Sequence, residues 1–419
     1  MPTKFEKWIR NDYFINMLAK VYHILIGAIS SALLARYYGV ILKGDYAYIK
    51  ELVTIVAILC NVGINQSYSY FYRKHNGKIY HKFINLFTFQ LVVNIFLFGL
   101  VAVFFRSTLY FYVAIMAPFT IVNQNYQSCM AVENIRLKII LSAILSFVNA
   151  FLYLLMYLFC PRVIWIPIAV TILNEIISVF VYTINMKFVP RPVVSINFIK
   201  EVISYSWIPM ITSLLLTLNY SVDVIFLKHM GSRVHLGLYS TASALISYFW
   251  LFPDAFKEVL ISRVARSESV TPVLRSIKAS LICMVALGIG FALLGKIFIK
   301  LLYGTEFTES YFVVLILLIG AFSMIFFKMI GTLFLAEGRR LFYFFSLLAS
   351  VIINIIFNYI TIPIWGMYGA AIASVASYTV CGNLFLFYFL KLKKLRVADV
   401  LIPNREDVVY ILKLIKVSK

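Results

Sequence analysis

Charged residues are scarce in this chain. Asp, Glu, Lys and Arg together make up 13% of its 419 residues, compared with about 25% in an average soluble domain. Hydrophobic residues make up 62%, which is more than a water-soluble fold of this length buries. The composition therefore excludes an ordinary soluble globular protein and predicts a chain that lies in a lipid bilayer.

Acidic residues are the scarcest of the charged group. Seventeen Asp and Glu face 38 Lys and Arg, which gives a formal net charge of +21. A surplus of this size is also found in nucleic-acid-binding proteins, but in a membrane protein basic residues collect in cytoplasmic loops and contact anionic headgroups. We therefore predict contact with membrane lipid and no nucleic-acid partner.

Cysteine and histidine are too few and too scattered for a metal or catalytic site. The five cysteines lie in or at the ends of apolar runs, without metal-ligand spacing, and are best interpreted as small core residues. The five histidines form no constellation either. The basic N-terminus runs into an apolar stretch without a small-residue cleavage site, which predicts a retained first span. We expect no metal, no cofactor and no enzymatic activity.

Long apolar runs are abundant and unbroken. A membrane helix needs about 20 such residues, and these runs lack the alternation of a transmembrane β-barrel. The predicted fold is an all-α integral membrane protein with twelve transmembrane helices. The segments are 13–35, 48–70, 83–105, 109–131, 138–160, 163–186, 205–228, 236–256, 277–300, 311–334, 341–362 and 367–390.

The distribution of Lys and Arg predicts the orientation. With the N-terminus in the cytoplasm, 27 of the 38 basic residues fall on the inside and 7 in outside loops. The positive-inside rule then places both termini in the cytoplasm, and an even number of spans preserves the asymmetry. The tail, 396–419, is basic, and its apolar positions are equally compatible with an amphipathic helix on the inner leaflet and with a frayed end.

A short pattern recurs after six spans. Arg36 precedes Gly39 by three residues, and Lys228 precedes Gly231 by three residues, each at the outer end of an odd-numbered span. Each copy leads through a glycine-rich turn into the next helix, and glycine at such a turn permits positive φ. Six spans separate the copies, so they share one orientation, as in a parallel repeat with a pathway between its halves. The predicted lobes are 1–195 and 196–395.

Several stretches together resemble a known family. "LLARYYGVILKGDYAYI" resembles the first-loop signature of polysaccharide exporters in the multidrug/oligosaccharidyl-lipid/polysaccharide (MOP) superfamily. "YSVDVIFLKHMGSRVHLGLYSTASAL", "GKIFIKLLYGTEFTESYFVVLILLIG" and "IPIWGMYGAAIASVASY" resemble its later helices and links, in the same order, so that the resemblance covers about residues 10–392. It is strongest to Wzx-type flippases of O-antigen or capsule repeat units, and the twelve spans differ from the fourteen expected of lipid II flippases.

The resemblance implies a MATE-like fold and a function. Such a protein moves undecaprenyl-diphosphate-linked oligosaccharide from the cytoplasmic to the periplasmic leaflet of the bacterial inner membrane by alternating access. A polysaccharide polymerase and chain-length machinery are the implied partners. Two alternatives stay open. An ion-coupled drug or cation exporter would show an acidic excess in its spans, and an O-antigen polymerase would have a large outer loop, which this chain lacks.

Four charged residues stand out inside predicted spans, where a charge costs about 2.5–3.5 kcal/mol on insertion scales and usually faces a cavity. Lys20 and Lys328 are candidates to offset the charge of the cargo's diphosphate, or else they snorkel to the interface. Glu175 and Asp223 are candidates to couple transport to a proton or sodium gradient. Alternatively they pair with a lysine and join the lobes, which is the interpretation we favour.

Other polar residues are weaker candidates. Arg36 and Lys228 lie where a diphosphate would be released, although loop positions are the simpler interpretation. The amides of "NQNYQS", including Asn123, Gln124 and Gln127, need hydrogen-bond partners inside a bilayer. Sugar hydroxyls or water in a cavity would serve, and so would neighbouring helices.

Overall fold

The computed structural model describes residues 12–106, 108–185, 191–264 and 270–402. Within these ranges every regular element is a helix and no β-strand occurs. The chain forms two compact units, Met1–Leu218 and Asn219–Lys419. Their boundary falls inside one long helix, whereas the predicted lobe boundary at 195/196 marks the start of the internal repeat and stays a prediction.

The described part of the first unit contains six helices and the beginning of a seventh. They are α1 (Asp12–Asn61), α2 (Ile64–Lys74), α3 (Tyr80–Phe104), α4 (Leu109–Glu133), α5 (Ile135–Phe159), α6 (Trp165–Asn185) and the first part of α7 (Ile196–Met230).

The second unit begins in the last part of α7. It continues with α8 (Arg233–Phe249), α9 (Leu251–Val264), α10 (Thr271–Leu302), a 3₁₀ turn (Thr305–Phe307), α11 (Ser310–Ala336), α12 (Arg340–Trp365), α13 (Met367–Lys393) and α14 (Val397–Leu401). Most of the predicted basic tail, 403–419, lies outside the described residues.

Within the described residues, each of the twelve predicted membrane segments falls mainly on helix. By length and composition, nine helical stretches of the described chain are candidates to cross a membrane. The first stretch, Leu18–Lys74, contains two predicted segments. The helix α4 is not among the candidates, because its amides lower the hydropathy, and α8 is one residue too short. The protein is a multi-pass membrane protein with an all-α, MATE-like fold.

Between the first two predicted segments, the structure differs from the prediction. We expected a loop around 36–47, but the backbone stays helical through this region except at Gly39, where φ is 65° and ψ is −177°. Glycine adopts this conformation without the Cβ clash that other residues meet. The single break separates two helices within α1, as Gly231 and Ser232 separate α7 from α8.

The predicted eighth segment, 236–256, is also interrupted. The helix α8 ends at Phe249, Trp250 forms a turn, and α9 starts at Leu251. Pro253 lies in the first turn of α9, where its missing backbone N–H costs nothing.

Packing in the first unit centres on α4, which lies against α1, α2, α3 and α6. An aromatic core joins α2, α3 and the start of α7, with Phe83 edge-on to Tyr68 and to Phe198. Aromatic pairs in this geometry contribute about 0.5–1.5 kcal/mol beyond their buried area.

Packing in the second unit centres on α11, which lies against α8, α10 and α13. Two glycines allow the closest approach. A Cβ at Gly382 would lie 2.0 Å from the Ser323 backbone oxygen, and one at Gly320 would lie 2.9 Å from the Val375 Cα. Only a residue without a side chain lets α11 and α13 approach this closely.

Candidate functional site

Asp223, predicted as a coupling or pairing residue, is fully buried in the second unit. Its carboxylate accepts hydrogen bonds from the Tyr239 hydroxyl at 2.5 Å, the Asn358 amide at 2.6 Å and the Ser374 hydroxyl. These donors come from α8, α12 and α13. Three neutral donors therefore offset the desolvation of the carboxylate, as a buried charge requires.

A wider polar cluster surrounds this carboxylate. The Ser350 hydroxyl donates to Asn219 Oδ1 at 2.8 Å, and the Ser377 hydroxyl reaches the same oxygen at 3.1 Å. Asn354 Nδ2 donates to Ser377 Oγ at 3.2 Å. Two atoms of the cluster, Asn358 Oδ1 and Asn219 Nδ2, are buried without a hydrogen-bond partner. The cluster is thus a polar site within the apolar second unit, and it retains unused hydrogen-bonding capacity.

Sequence reasoning identifies Asp223 but misses the amides and serines around it. A signal was present, because Asn219 and Asp223 are four residues apart, as are Asn354 and Asn358, so each pair shares a helix face. Two polar residues on one face of an apolar helix indicate a polar contact across the helices. The sequence alone does not show that both faces point at each other.

Lys328, predicted as a cavity cation, lies close to an acid. Its ammonium is 2.7 Å from Asp254 Oδ1 and lies 4.4 Å from the centre of the Trp250 ring. The lysine side chain is 10% exposed and the aspartate 43%. Trp250 lies at the break between α8 and α9, and Asp254 lies in the first turn of α9. Sequence reasoning misses Asp254, which lies inside the predicted segment 236–256.

The first unit contains a separate polar group. The amide of Asn123 on α4 donates to Glu175 Oε2 on α6, and Gln127 Nε2 donates to Asn123 Oδ1 at 3.2 Å. The structure therefore brings together three of the predicted residues. The side chain of the fourth, Gln124, forms no hydrogen bond with the described residues, although Gln124 lies on the same helix as Asn123 and Gln127.

Neither predicted carboxylate forms the ion pair that we favoured. Within the described part of the chain, Glu175 and Asp223 accept hydrogen bonds from neutral amides and hydroxyls of their own units. The expected lysine pairing is absent from these contacts, because neutral donors already solvate the charge. A role in ion coupling stays a prediction.

The three remaining candidates are basic residues at different depths. Lys20 lies half-buried in α1, Arg36 lies exposed three residues before the Gly39 break, and Lys228 lies half-buried in the last turn of α7. The structure does not place these side chains in one cluster within either unit.

Matching tyrosines occur in the two units. The Tyr46 hydroxyl lies 2.8 Å from Thr171 Oγ1 on α6, and the Tyr239 hydroxyl lies 3.0 Å from Ser374 Oγ on α13. Each tyrosine follows the glycine break of its unit, and each partner lies on the last membrane segment of that unit. The two contacts therefore occupy corresponding places in the predicted repeat.

Comparison with known protein families identifies the family of this chain. The family described as "Polysaccharide biosynthesis protein" matches residues 9–252, which is more than half of the chain. The chain belongs to the polysaccharide biosynthesis protein family. A search of curated protein sequences finds no significant match.

Solved structures share the fold of this polysaccharide biosynthesis protein at low sequence identity. A structure titled "Lipid II flippase MurJ, inward closed conformation" has a TM-score of 0.74 and 14% identity, and the match covers 96% of this chain and 92% of that chain. An inward-facing multidrug resistance MATE family transporter of the MOP superfamily has a TM-score of 0.67 and 13% identity, covering 90% and 98%.

A third structure, a MOP superfamily transporter from Pyrococcus furiosus, has a TM-score of 0.63 and 14% identity, covering 91% of this chain and 94% of that one. Identity at this level establishes the fold of the polysaccharide biosynthesis protein and leaves its cargo open. The fold is the one predicted from the sequence, since transporters of this superfamily have the same architecture.

Proposed function

We propose that this protein is a flippase that moves an undecaprenyl-diphosphate-linked oligosaccharide, an O-antigen or capsule repeat unit, across the bacterial inner membrane. The cargo moves from the cytoplasmic to the periplasmic leaflet. The family match over residues 9–252 carries the proposal. Support for a lipid-linked cargo comes from the fold shared with a lipid II flippase over 96% of the chain.

The cargo's diphosphate has to leave the hydrated headgroup layer, and this step needs cations. In the proposal, Lys20 and Lys328 supply them near the cytoplasmic side. Lys328 is held by Asp254, so the phosphate oxygens would exchange with that carboxylate. Asp254 suits such an exchange because its side chain is 43% exposed, so solvent can hydrate the carboxylate when it separates from Lys328. A lysine ammonium serves both partners, since it demands no single geometry.

The membrane potential favours this direction of transport. An inside-negative potential drives outward movement of an anion by about 2.3 kcal/mol per charge per 100 mV. Where a gradient contributes as well, we propose Asp223 as the proton or sodium site. Its support is the fully buried carboxylate beside the unpartnered Asn358 Oδ1, because carboxylate and carbonyl oxygens are suitable ligands for a hard cation.

The competing function is an ion-coupled exporter of drugs or cations. The MATE likeness fits both functions, because it concerns the fold alone. Such an exporter requires acids that face its cargo, whereas Glu175 and Asp223 accept hydrogen bonds from neutral donors. An O-antigen polymerase is the remaining alternative, and its product would be polymer made from units already in the outer leaflet.

Deletion of the gene in its host tests the proposal. We expect loss of surface polysaccharide and accumulation of undecaprenyl-linked single units on the cytoplasmic side. Normal polysaccharide in the deletion strain contradicts the proposal. Single units that reach the periplasmic leaflet but stay unpolymerised indicate the polymerase instead.

Complementation of the deletion strain tests the residues. We expect Lys20→Ala and Lys328→Ala each to reduce surface polysaccharide while the protein still inserts in the membrane. Lys296→Ala is the matched control, because this lysine lies in a predicted span but takes no part in the proposed path. Full complementation by the Lys20→Ala/Lys328→Ala double variant refutes the role of these cations.

A further inference from the structure

His23 is a titratable residue in α1 that the proposed transport step does not use. Its ring bridges two hydroxyls of α5, the helix that packs along α1. Nε2 lies 3.2 Å from Ser142 Oγ, and Nδ1 lies 2.8 Å from Ser146 Oγ. The two serines are four residues apart, so they occupy one face of α5 and hold both ring nitrogens.

The hydrogen bonds determine where the ring carries its proton. The Ser142 hydroxyl donates its only hydrogen to the Ile139 carbonyl oxygen at 2.9 Å, so toward the ring it can only accept. His23 Nε2 therefore has to be the donor. The neutral ring then accepts at Nδ1, and Ser146 supplies that hydrogen. The partners assign the neutral Nε2–H tautomer.

The same arrangement accommodates a second proton. Protonation turns Nδ1 into a donor, and the Ser146 oxygen has lone pairs to accept from it. The Ser146 hydrogen then turns to another acceptor, and a helical serine reaches the carbonyl oxygen four residues earlier, here that of Ser142. A rotation of one hydroxyl is thus enough to keep both ring contacts in the charged form.

The surroundings oppose that charge as long as no anion is present. Lys20 lies one turn from His23 on α1, Lys138 lies one turn before Ser142 on α5, and the Tyr22 ring is 5.9 Å away, edge-on. The helix α4 also packs on α1, and its one charged residue, Glu133, accepts from Tyr68. Within the described residues no carboxylate contacts His23, and a bound anion would supply compensating negative charge.

We propose that His23 takes up a proton from solvent at Nδ1 when a diphosphate headgroup binds beside Lys20. The inference rests on the proposed function and adds proton uptake linked to the cargo. It gives the anion site a second positive charge that exists only while the anion is bound. Binding of a prenyl diphosphate is then stronger at low pH, and the proton leaves with the cargo.

Nitrogen NMR of the full-length protein in lipid nanodiscs tests this directly. The protein carries ¹⁵N-labelled histidine, the His23→Gln variant assigns the His23 signals, and the other four histidines are internal controls. The probe is farnesyl diphosphate, and farnesol is the uncharged control. At pH 7.5 we expect the Nε2–H tautomer without probe, and a larger doubly protonated fraction with farnesyl diphosphate but not with farnesol.

Calorimetry of the same samples adds a second readout. We expect the wild type to bind farnesyl diphosphate about tenfold more tightly at pH 6.0 than at pH 8.0, beyond any pH effect that remains in His23→Gln. Binding without a change at His23, or an Nδ1–H tautomer in the free protein, overturns this inference and leaves the flippase proposal standing. Absence of farnesyl diphosphate binding overturns both.

Discussion

Replacement of Asp223 by alanine should destabilise the second unit strongly. The change removes the shared acceptor of the Tyr239 and Ser374 hydroxyls in a fully buried site, and it removes one acceptor of the Asn358 amide, which still donates to Asn354. An orphaned buried donor costs about 1–3 kcal/mol. The two hydroxyls lie 3.0 Å apart and can bond to each other, so part of this cost is recovered. We expect a net loss of about 3 kcal/mol.

Thermal unfolding of the purified protein in detergent measures this loss. For a unit of this size, 1 kcal/mol shifts the midpoint by about 2–4 °C, so we expect a decrease of about 6–12 °C. Asp223→Asn should lose less, because its carbonyl oxygen still accepts. Glu306→Ala is the control, since it removes an exposed carboxylate from the same unit. If Asp223→Ala unfolds at the same temperature as this control, the carboxylate does not organise the cluster.

Three further predictions concern a close helix contact, an ion pair and the membrane orientation. Gly382→Ala should lower the unfolding temperature, because the added Cβ would meet the Ser323 backbone oxygen and such overpacking costs about 1–3 kcal/mol of stability. Gly290→Ala is the control, because a Cβ there has nothing within 4 Å. Equal unfolding midpoints for the two variants contradict the close packing of α11 and α13. Asp254→Ala should lower the free energy of unfolding by about 2 kcal/mol, because it leaves the charge of the more buried partner, Lys328, without its acid. Lys328→Met should lower it less, and the reverse order contradicts the ion pair. In a cysteine-free variant, Lys78→Cys should react with a membrane-impermeant thiol reagent only after cell lysis and Arg106→Cys in intact spheroplasts; the opposite pattern reverses the predicted orientation.

Much of the fold could be predicted because long apolar runs have few solutions in a bilayer. Each predicted segment is mainly helical in the described residues, since a backbone in lipid has to satisfy its own hydrogen bonds. The errors are local. Between the first two segments we expected a loop, because Arg36 and Lys43 are polar residues typical of one. In the structure both residues lie in helix, and the helix is broken only at Gly39.

The polar sites were predicted less completely, because side-chain partners depend on helix rotation. Asp223 and Glu175 stand out as costly charges, yet both meet neutral donors where we favoured a lysine. Lys328 stands out for the same reason, and its partner Asp254 does not, since that residue lies near the end of its segment. The energetic cost of a charge in lipid shows from sequence which residues need a partner. The partner itself depends on how the helices pack.

Reconstituted transport tests the central claim most directly. Purified protein is placed in vesicles that contain a fluorescent undecaprenyl-diphosphate disaccharide, and a membrane-impermeant quencher reports the labelled lipid in the outer leaflet. We expect the protein to accelerate exchange between leaflets, and Lys20→Ala/Lys328→Ala to slow it while Lys296→Ala exchanges normally. Exchange no faster than in protein-free vesicles, for correctly inserted wild-type protein, contradicts the account.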